Sequence, residues 1–454
     1  MSATNPLSAF LKKHPDTRYL DVFYCDLSGI IRGKRYPIGQ AEKIFNAGAM
    51  TPGSCFLLAV TGESMDPAGM GFSDGDPDEI GRPLLSTLAP APWTQVPVAQ
   101  VMLTLESLDG TPFYYEPRNV LRRVLHRFND LGLRPVVAFE LEFYLVDAKR
   151  DESGGIRPPR GPLTGRRTDA AQVYSMEDVE EFARYLDEVT TTCAMQGITT
   201  GAISGEYAPG QFEINLQHSD DPLAAADQCA IFRRTVQGIA KKHRLQASFM
   251  AKPYPHQAGS GLHLHISLLD DQGNNALDGK GPYATPACGS PFLFHGIGGL
   301  RETMGDSMAI FAPNVNAYHR FAPNNFVPVT PCWGYENRSV AMRVPKSPGK
   351  ARRIEHRVAG ADANPYLTLA TLLAAIHHGI HNRIDPGEPA TGNAGETADP
   401  DLPLDIERAL TRCRESAFMT QYLGEDYILA YTECKLEEYR AFSQSGDSEI
   451  QWYF

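Results

Sequence analysis

The feature that most constrains the fold is a β-strand pattern with acidic side chains on one face. In FELEFYLVD, residues 139–147, the apolar residues alternate with Glu140, Glu142 and Tyr144. Two carboxylates at this spacing lie roughly 7 Å apart and repel each other, so they require water or a positive partner. A single strand of this kind is more often a solvent-exposed sheet face than part of a site.

Three later segments repeat the pattern, namely GQFEINLQ (210–217), GLHLHISLL (261–269) and RRIEHRV (352–358). Their polar faces carry Gln211, Glu213, Asn215 and Gln217; His263, His265 and Ser267; and Arg353, Glu355 and Arg357. Each face alone is compatible with solvent, and the histidine pair with a structural role. As a set, the strands indicate one polar cavity.

The residue types on these strands favour metal-dependent phosphoryl chemistry. Glutamates with histidine, and without cysteine, suit a hard or borderline divalent ion such as Mg²⁺ or Mn²⁺. Arginines suit phosphate because the guanidinium is a planar, permanently charged donor. Together these groups predict phosphoryl transfer. The chain lacks a GxxxxGK[ST] loop, so any nucleotide is held in another way.

Composition excludes several function classes. The chain has 42 basic and 54 acidic residues and a net charge of −12, which argues against nucleic-acid and membrane-surface partners. Its longest apolar stretch, YLTLATLLAAI, is too short to span a bilayer, and we find no signal sequence. Eight cysteines without a CxxC pair indicate reduced thiols. We therefore expect a cytoplasmic protein.

The length of 454 residues predicts two domains in an α+β chain. Residues 15–113 are rich in strand signals, with a hairpin over 19–38 and a strand at AQVMLTLES. Residues 114–454 alternate strands with helices. Helices are predicted at 117–131, 175–197, 223–244 and 365–382, and Ser175 with Asp178 forms a capping-box pattern at the start of the second.

Ordered motifs along nearly the whole chain resemble the glutamine synthetase family, type I. They are FELEFYL, SGEYAPGQFEINL, AGSGLHLHISL, NVNAYHRFAP, ENRSVAMRVP and KARRIEHRVAGADANPYL. The resemblance implies an N-terminal β-grasp domain and a C-terminal catalytic domain with an antiparallel sheet and helices. It also implies homo-oligomers, in a ring of six or stacked rings of twelve, with each active site between neighbouring subunits.

The resemblance further implies an ATP-dependent ligase. Glutamate is phosphorylated on its γ-carboxylate, and an amine nitrogen then displaces phosphate. Two or more Mg²⁺ or Mn²⁺ ions are implied, one held by Glu142, Glu206 and Glu213 and another by Glu140, His263 and Glu355. The other implied roles are glutamate binding by Gly259, Arg320 and Arg357; phosphoryl stabilisation by Arg338, Arg343 and Arg353; and nucleotide contacts by His265 and Ser267, with Arg343 and Arg353.

Two departures from the family pattern concern the amine. Members of the family that use ammonia share two acidic residues that form an ammonium pocket. In this chain Pro52 and Phe326 stand at the positions that match them. A desolvated cation needs a paired negative charge, and its deprotonation needs a base. The chain is therefore most similar to the γ-glutamylamide and γ-glutamylpolyamine synthetases of amine catabolism.

Several alternatives stay open at this level. A monoamine with a hydrophobic tail suits Phe326 best, but Glu63 or Asp66 would allow a polyamine. Glu206 or the phosphate itself is a conceivable base. Ala258 stands where an asparagine often contacts glutamate, and the late loop ATGNAGETADPDLP has no tyrosine for adenylylation. An ordinary glutamine synthetase and a noncatalytic ring are the competing functions.

Overall fold

A computed structural model describes residues 5–152, 154–167, 170, 173–279 and 289–454. The strands are β1 Tyr19–Cys25, β2 Ile31–Pro37, β3 Ala49–Pro52, β4 Asp78–Pro83, β5 Ala89–Pro90, β6 Val98–Glu106, β7 Arg134–Asp147, β8 Thr200–Gly205, β9 Gln211–Leu216, β10 Leu245–Ser248, β11 Leu262–Leu269, β12 Trp333–Tyr335, β13 Met342–Val344 and β14 Ile354–His356. The helices are α1 Pro6–Lys13, α2 Ala41–Ala47, α3 Pro117–Arg127, α4 Met176–Glu181, α5 Ala183–Met195, α6 Pro222–Lys242, α7 Pro291–Phe311, α8 Val315–Tyr318, α9 Pro365–Asn382, α10 Ile406–Glu415, α11 Ala417–Leu423, α12 Glu425–Ser445 and α13 Glu449–Tyr453.

The chain divides into two compact units. The first contains residues 1–119, 143–214 and 227–248, and the second contains residues 120–142, 215–226 and 249–454. Strand β7 thus contributes its first nine residues to the second unit and its remainder to the first. The predicted domains, 15–113 and 114–454, stay a prediction.

The first unit begins with a mixed sheet in the order β2-β1-β6-β4-β3. Strand β1 pairs antiparallel with β2 and parallel with β6, and α2 adds Ala41 and Ile44 to the apolar core beneath the sheet. The sequence pattern predicted a strand-rich region here, and the family resemblance implied a β-grasp arrangement. The hairpin turn is held by Asp26, whose carboxylate accepts hydrogen bonds from the backbone N–H groups of Ser28 and Ile30, both at 2.9 Å.

The remainder of the first unit corrects one helix. The segment predicted as a single helix over 175–197 forms two, α4 and α5, which are separated at Phe182. The φ of −103° and ψ of 15° at Phe182 leave helical geometry, and its buried ring packs edge-on against Phe212 at 5.5 Å. The break coincides with packing between residues that are far apart in the sequence, so helical periodicity does not predict it. Ser175 caps α4 as predicted, accepting from the Asp178 N–H at 3.3 Å.

The second unit contains a sheet in which β11 lies between β7 and β14. These pairings are antiparallel, as is that of β14 with β13, whereas β13 pairs parallel with β12. The apolar faces predicted from the alternation are buried, including Phe139, Leu141 and Leu264. The segment predicted as a strand over 352–358 is shorter, since only 354–356 pair as β14.

Helices α7 and α9 form the helical core of the second unit, and they pack at a shared glycine contact. A Cβ atom added to Gly299 would lie 2.0 Å from the Ala375 carbonyl oxygen and 2.7 Å from the Cα of Gly379. Backbones at this distance exclude any larger side chain. No helix in the described ranges has both the length and the apolarity needed to cross a bilayer.

Candidate active site

The register of the second unit's sheet brings the predicted metal-binding side chains together. Glu140 pairs with His263 across β7 and β11, and His265 pairs with Glu355 across β11 and β14. The Nε2 atom of His265 lies 2.8 Å from a Glu140 oxygen, and the Nδ1 atom of His263 lies 3.6 Å from the other. Ligand atoms of Glu140, His265 and Glu355 all lie within 4.8 Å of one another. This donor set fits a divalent cation.

The two histidines have different neighbours. Arg353 Nε donates to His265 Nδ1 at 3.0 Å, and His265 Nε2 faces Glu140. Within the described ranges that buried Nε2 atom makes no hydrogen bond, so it is available to a ligand. Burial lowers the pKa of His263, which keeps that ring neutral, as metal ligation requires. The assignment of His263 as the metal ligand and of His265 as a nucleotide contact stays a prediction.

Glu355 joins this cluster to two arginines. Its oxygens lie 2.5 Å from Arg343 and 2.5 Å from Arg357, and the residue is 1% exposed. Burial alone would raise the pKa of Glu355, but the charges of Arg357 and Arg343 contribute to lowering it to about 2. The carboxylate is therefore ionised at neutral pH, and both guanidinium groups are held in place.

Arg320 is enclosed by backbone. A Cβ atom at Gly259 would lie 2.7 Å from Arg320 Cγ and 2.8 Å from the Ala251 carbonyl oxygen, so this approach requires glycine. Arg320 is 2% exposed and donates to the Val358 carbonyl at 3.0 Å. Its Nε has no hydrogen-bond partner within the described ranges. A buried guanidinium with a spare donor suits a carboxylate ligand.

Glu206, Glu213 and Pro52 belong to the first unit. Glu206 directly follows β8, where its carboxylate accepts from the Ser204 hydroxyl at 3.2 Å. Glu213 is half-buried in β9, and Pro52 ends β3 opposite Asp78. The metal set of Glu142 with Glu206 and Glu213 stays a prediction. In the second unit, Glu142 accepts from the Gly261 N–H at 2.8 Å.

Comparison with known proteins gives the family. The sequence profile described as "Glutamine synthetase, catalytic domain" matches residues 114–453. The chain belongs to the glutamine synthetase family. Its prediction as an enzyme of that family, a glutamate–amine ligase with an α+β fold, is confirmed.

Known proteins that are similar to this chain include enzymes named for amines. It is 40% identical to gamma-glutamylputrescine synthetase PuuA of Escherichia coli, over 99% of this chain and 94% of the relative. It is 33% identical to glutamate–isopropylamine ligase of a Pseudomonas species, over 98% and 95%. Among solved structures, a GmaS/ADP complex superposes with a TM-score of 0.82 at 26% identity, covering 99% of this chain and 98% of the other.

The loop that carries Phe326 is stabilised differently from the strands that carry the candidate active site. Phe326 is 57% exposed, and Asn324, two residues earlier, has a positive φ of 61°. The Asn324 N–H donates to the Gly395 carbonyl at 2.8 Å, and Asn393 donates to the Asn324 side chain at 3.0 Å. Hydrogen bonds, and not apolar burial, therefore hold this loop.

Sequence reasoning missed the role of residues 390–395. The same segment binds both neighbours of the exposed Arg338: Asn337 donates to the Gly392 carbonyl at 2.8 Å, and the Ala394 N–H donates to the Ser339 hydroxyl at 2.9 Å. The only signal in the sequence is its turn-forming composition, TGNAG. Ser267 is half-buried on β11 opposite Val136, and its predicted nucleotide contact stays a prediction.

Glu336 is a second residue that the motifs did not identify. Its φ of 49° is unusual for a residue with a side chain. Its carboxylate lies 3.2 Å from Arg343, on the side of that guanidinium away from Glu355. Arg343 is thus held between a buried and a half-exposed carboxylate.

Proposed function

We propose that this chain joins the γ-carboxylate of glutamate to an organic primary amine, using ATP and a γ-glutamyl phosphate intermediate. The observation that carries the proposal is the cluster of Glu140, His263, Glu355 and two arginines on adjacent strands of one sheet. Ligases of this family use ATP and divalent metals generally. Carboxylates and guanidinium groups in one buried cluster supply the positioning and charge neutralisation that phosphoryl transfer needs.

In this proposal Glu140, His263 and Glu355 hold one Mg²⁺ or Mn²⁺ ion, and Glu142, Glu206 and Glu213 hold another. Such ions, when bound, neutralise phosphate charge. Side chains of the protein bind the substrates and stabilise the transferred group. Arg320 and Arg357, with Gly259, bind and orient glutamate, while Arg338, Arg343 and Arg353 stabilise the transferred phosphoryl group. His265 and Ser267 contact the nucleotide.

The amine end of the proposal rests on Pro52 and Phe326. Neither side chain can pair with ammonium or take its proton, so ammonia is a poor nucleophile for this site. Relatives named for putrescine, isopropylamine and ethanolamide support an organic amine. Asp66, a candidate partner for a distal ammonium, already accepts from the Ser73 N–H at 3.1 Å within its own exposed loop.

Membership of the family supports a proposal for the assembly. We propose a cytoplasmic homo-oligomer, either a ring of six or stacked rings of twelve, with a β-grasp domain at 15–113 and a catalytic domain at 114–454. The net charge of −12 supports the absence of nucleic-acid partners.

The test is phosphate release from ATP with glutamate and Mg²⁺, in parallel reactions containing ammonium, isopropylamine, ethanolamine or putrescine at equal concentration. We expect an organic amine to drive release and ammonium to drive little. The amine that gives the most phosphate release shows whether the site prefers monoamines or diamines. Strong release with ammonium alone would identify an ordinary glutamine synthetase, and no release in any arm would favour a noncatalytic ring.

A further inference from the structure

The C-terminal helix α13 makes a specific polar contact with the short helix α8. Glu449, the first residue of α13, accepts a hydrogen bond from Asn316 Nδ2 at 2.7 Å. Its other oxygen lies 2.8 Å from His319 Nε2. These two partners are 133 and 130 residues away in sequence. One carboxylate thus bridges the start of α8 and the residue that follows it.

The geometry around α13 fixes where Glu449 points. The Ser448 N–H donates to the Gln451 side chain at 2.7 Å, which closes the first turn. The rings of Trp452 and Tyr453 both pack against Phe442 of α12, with centroids 5.5 Å apart in each pair. The helix is therefore anchored to the second unit by its aromatic residues, which leaves the carboxylate as its polar contact to α8.

Arg320 is next in sequence to the residues that contact Glu449. Asn316 also binds both backbone groups of Lys252, accepting from its N–H at 2.7 Å and donating to its carbonyl at 2.9 Å. His319 is the residue immediately before Arg320. The Arg320 side chain packs against Gly259 through its Cγ and Cδ atoms, so a small shift of α8 would move the guanidinium that we assign to glutamate.

We propose that Glu449 is a positioning residue for the glutamate site, acting through Asn316 and His319 on Arg320. The inference rests on the proposed function, because that proposal assigns Arg320 to glutamate. Glu449 itself contacts no substrate. Its loss should weaken glutamate binding and leave the amine site and the chemical step largely intact.

Charge contributes to this contact in a way that pH can test. The charged and titratable groups that face His319 are Glu449 and Lys252. The hydrogen bond that His319 donates to Glu449 raises the pKa of His319, while burial and the charge of Lys252 oppose that shift. Burial raises the pKa of Glu449, but His319 and Asn316 lower it below its ordinary value. The charged pair is therefore present below the raised pKa of His319 and is lost as pH rises through it.

The decisive experiment compares Glu449→Gln with Glu437→Gln, an exposed glutamate on α12 whose partner is Arg440. For Glu449→Gln we expect the KM for glutamate to rise about fivefold, with kcat and the KM for the amine within about twofold of wild type. Isothermal titration with glutamate should give a matching loss of affinity. Glu437→Gln should change none of these values.

A pH profile adds a readout that a purely structural role would not change. In the wild type, the KM for glutamate should rise above the raised pKa of His319, and in Glu449→Gln this rise should be absent. Because His319 is 55% exposed at its side chain, His319→Gln should fold normally and give the same flat profile. A wild-type KM and pH profile in both variants would overturn the inference. Weaker glutamate binding without turnover with any amine would retain it and reject the proposed ligase.

Discussion

The strand cluster around Glu355 and the loop that carries Phe326 are held by different forces. In the cluster, strand register gives each buried charge a partner of opposite sign, as between Glu355 and Arg343. In the loop, residues 390–395 supply hydrogen bonds, and Phe326 remains 57% exposed. Changes in the cluster disturb folding and catalysis together, whereas changes in the loop can alter amine choice alone.

The largest expected effect breaks the cluster. Glu355→Gln leaves Arg343 and Arg357 without their shared carboxylate, so it should lower the free energy of unfolding by about 3 kcal/mol and abolish ligase activity. Chemical denaturation and phosphate release measure the two losses. Glu336→Gln removes the other carboxylate beside Arg343, but that side chain is 49% exposed, so it should cost less than about 1 kcal/mol. Equal losses in both variants would show that burial does not distinguish the two pairs.

The next effect uses pH to test burial beside the cluster. Burial lowers the pKa of His356 to about 3. The unfolded chain takes up this proton below about pH 6.5, so stability is full above that pH and falls towards pH 3. Between pH 7 and 5 the loss attributable to His356 is about 2 kcal/mol.

Urea unfolding of the metal-free protein at several pH values measures this slope. His356→Leu should flatten it, and the exposed His381→Leu variant should keep the wild-type slope. An unchanged slope in His356→Leu would mean that other groups cause the acid sensitivity.

The smallest expected effect sharpens the comparison at the loop. Phe326→Glu places an acid where family members that use ammonia have one. The ratio of phosphate release with ammonium to release with the organic amine should therefore rise by about tenfold. The melting temperature should not change, because the side chain is exposed. Phe326→Leu should keep the wild-type preference. An altered melting temperature with an unchanged preference would place Phe326 in the folding core instead.

The local patterns of the chain predicted much of this molecule. Alternation on β7 identified the buried face with Phe139 and the polar face with Glu140, and the hairpin around Asp26 followed from its turn residues. Helix 117–131 begins and ends as predicted, with α3 continuing as a 3₁₀ turn to Leu131 before Gly132 at φ 62°. The sequence failed at Phe182, where contact with Phe212 divides a periodic helix.

The sequence by itself determined which side chains share a strand face, because that depends on a two-residue period within one segment. Its motifs also determined the family. Only the tertiary structure decided which faces meet: Glu140 beside His263, His265 beside Glu355, Asn393 beside Asn324 and Glu449 beside His319. Strand register and loop contacts depend on residues far apart in the chain, and a shift of one residue would turn each polar face away from its partner.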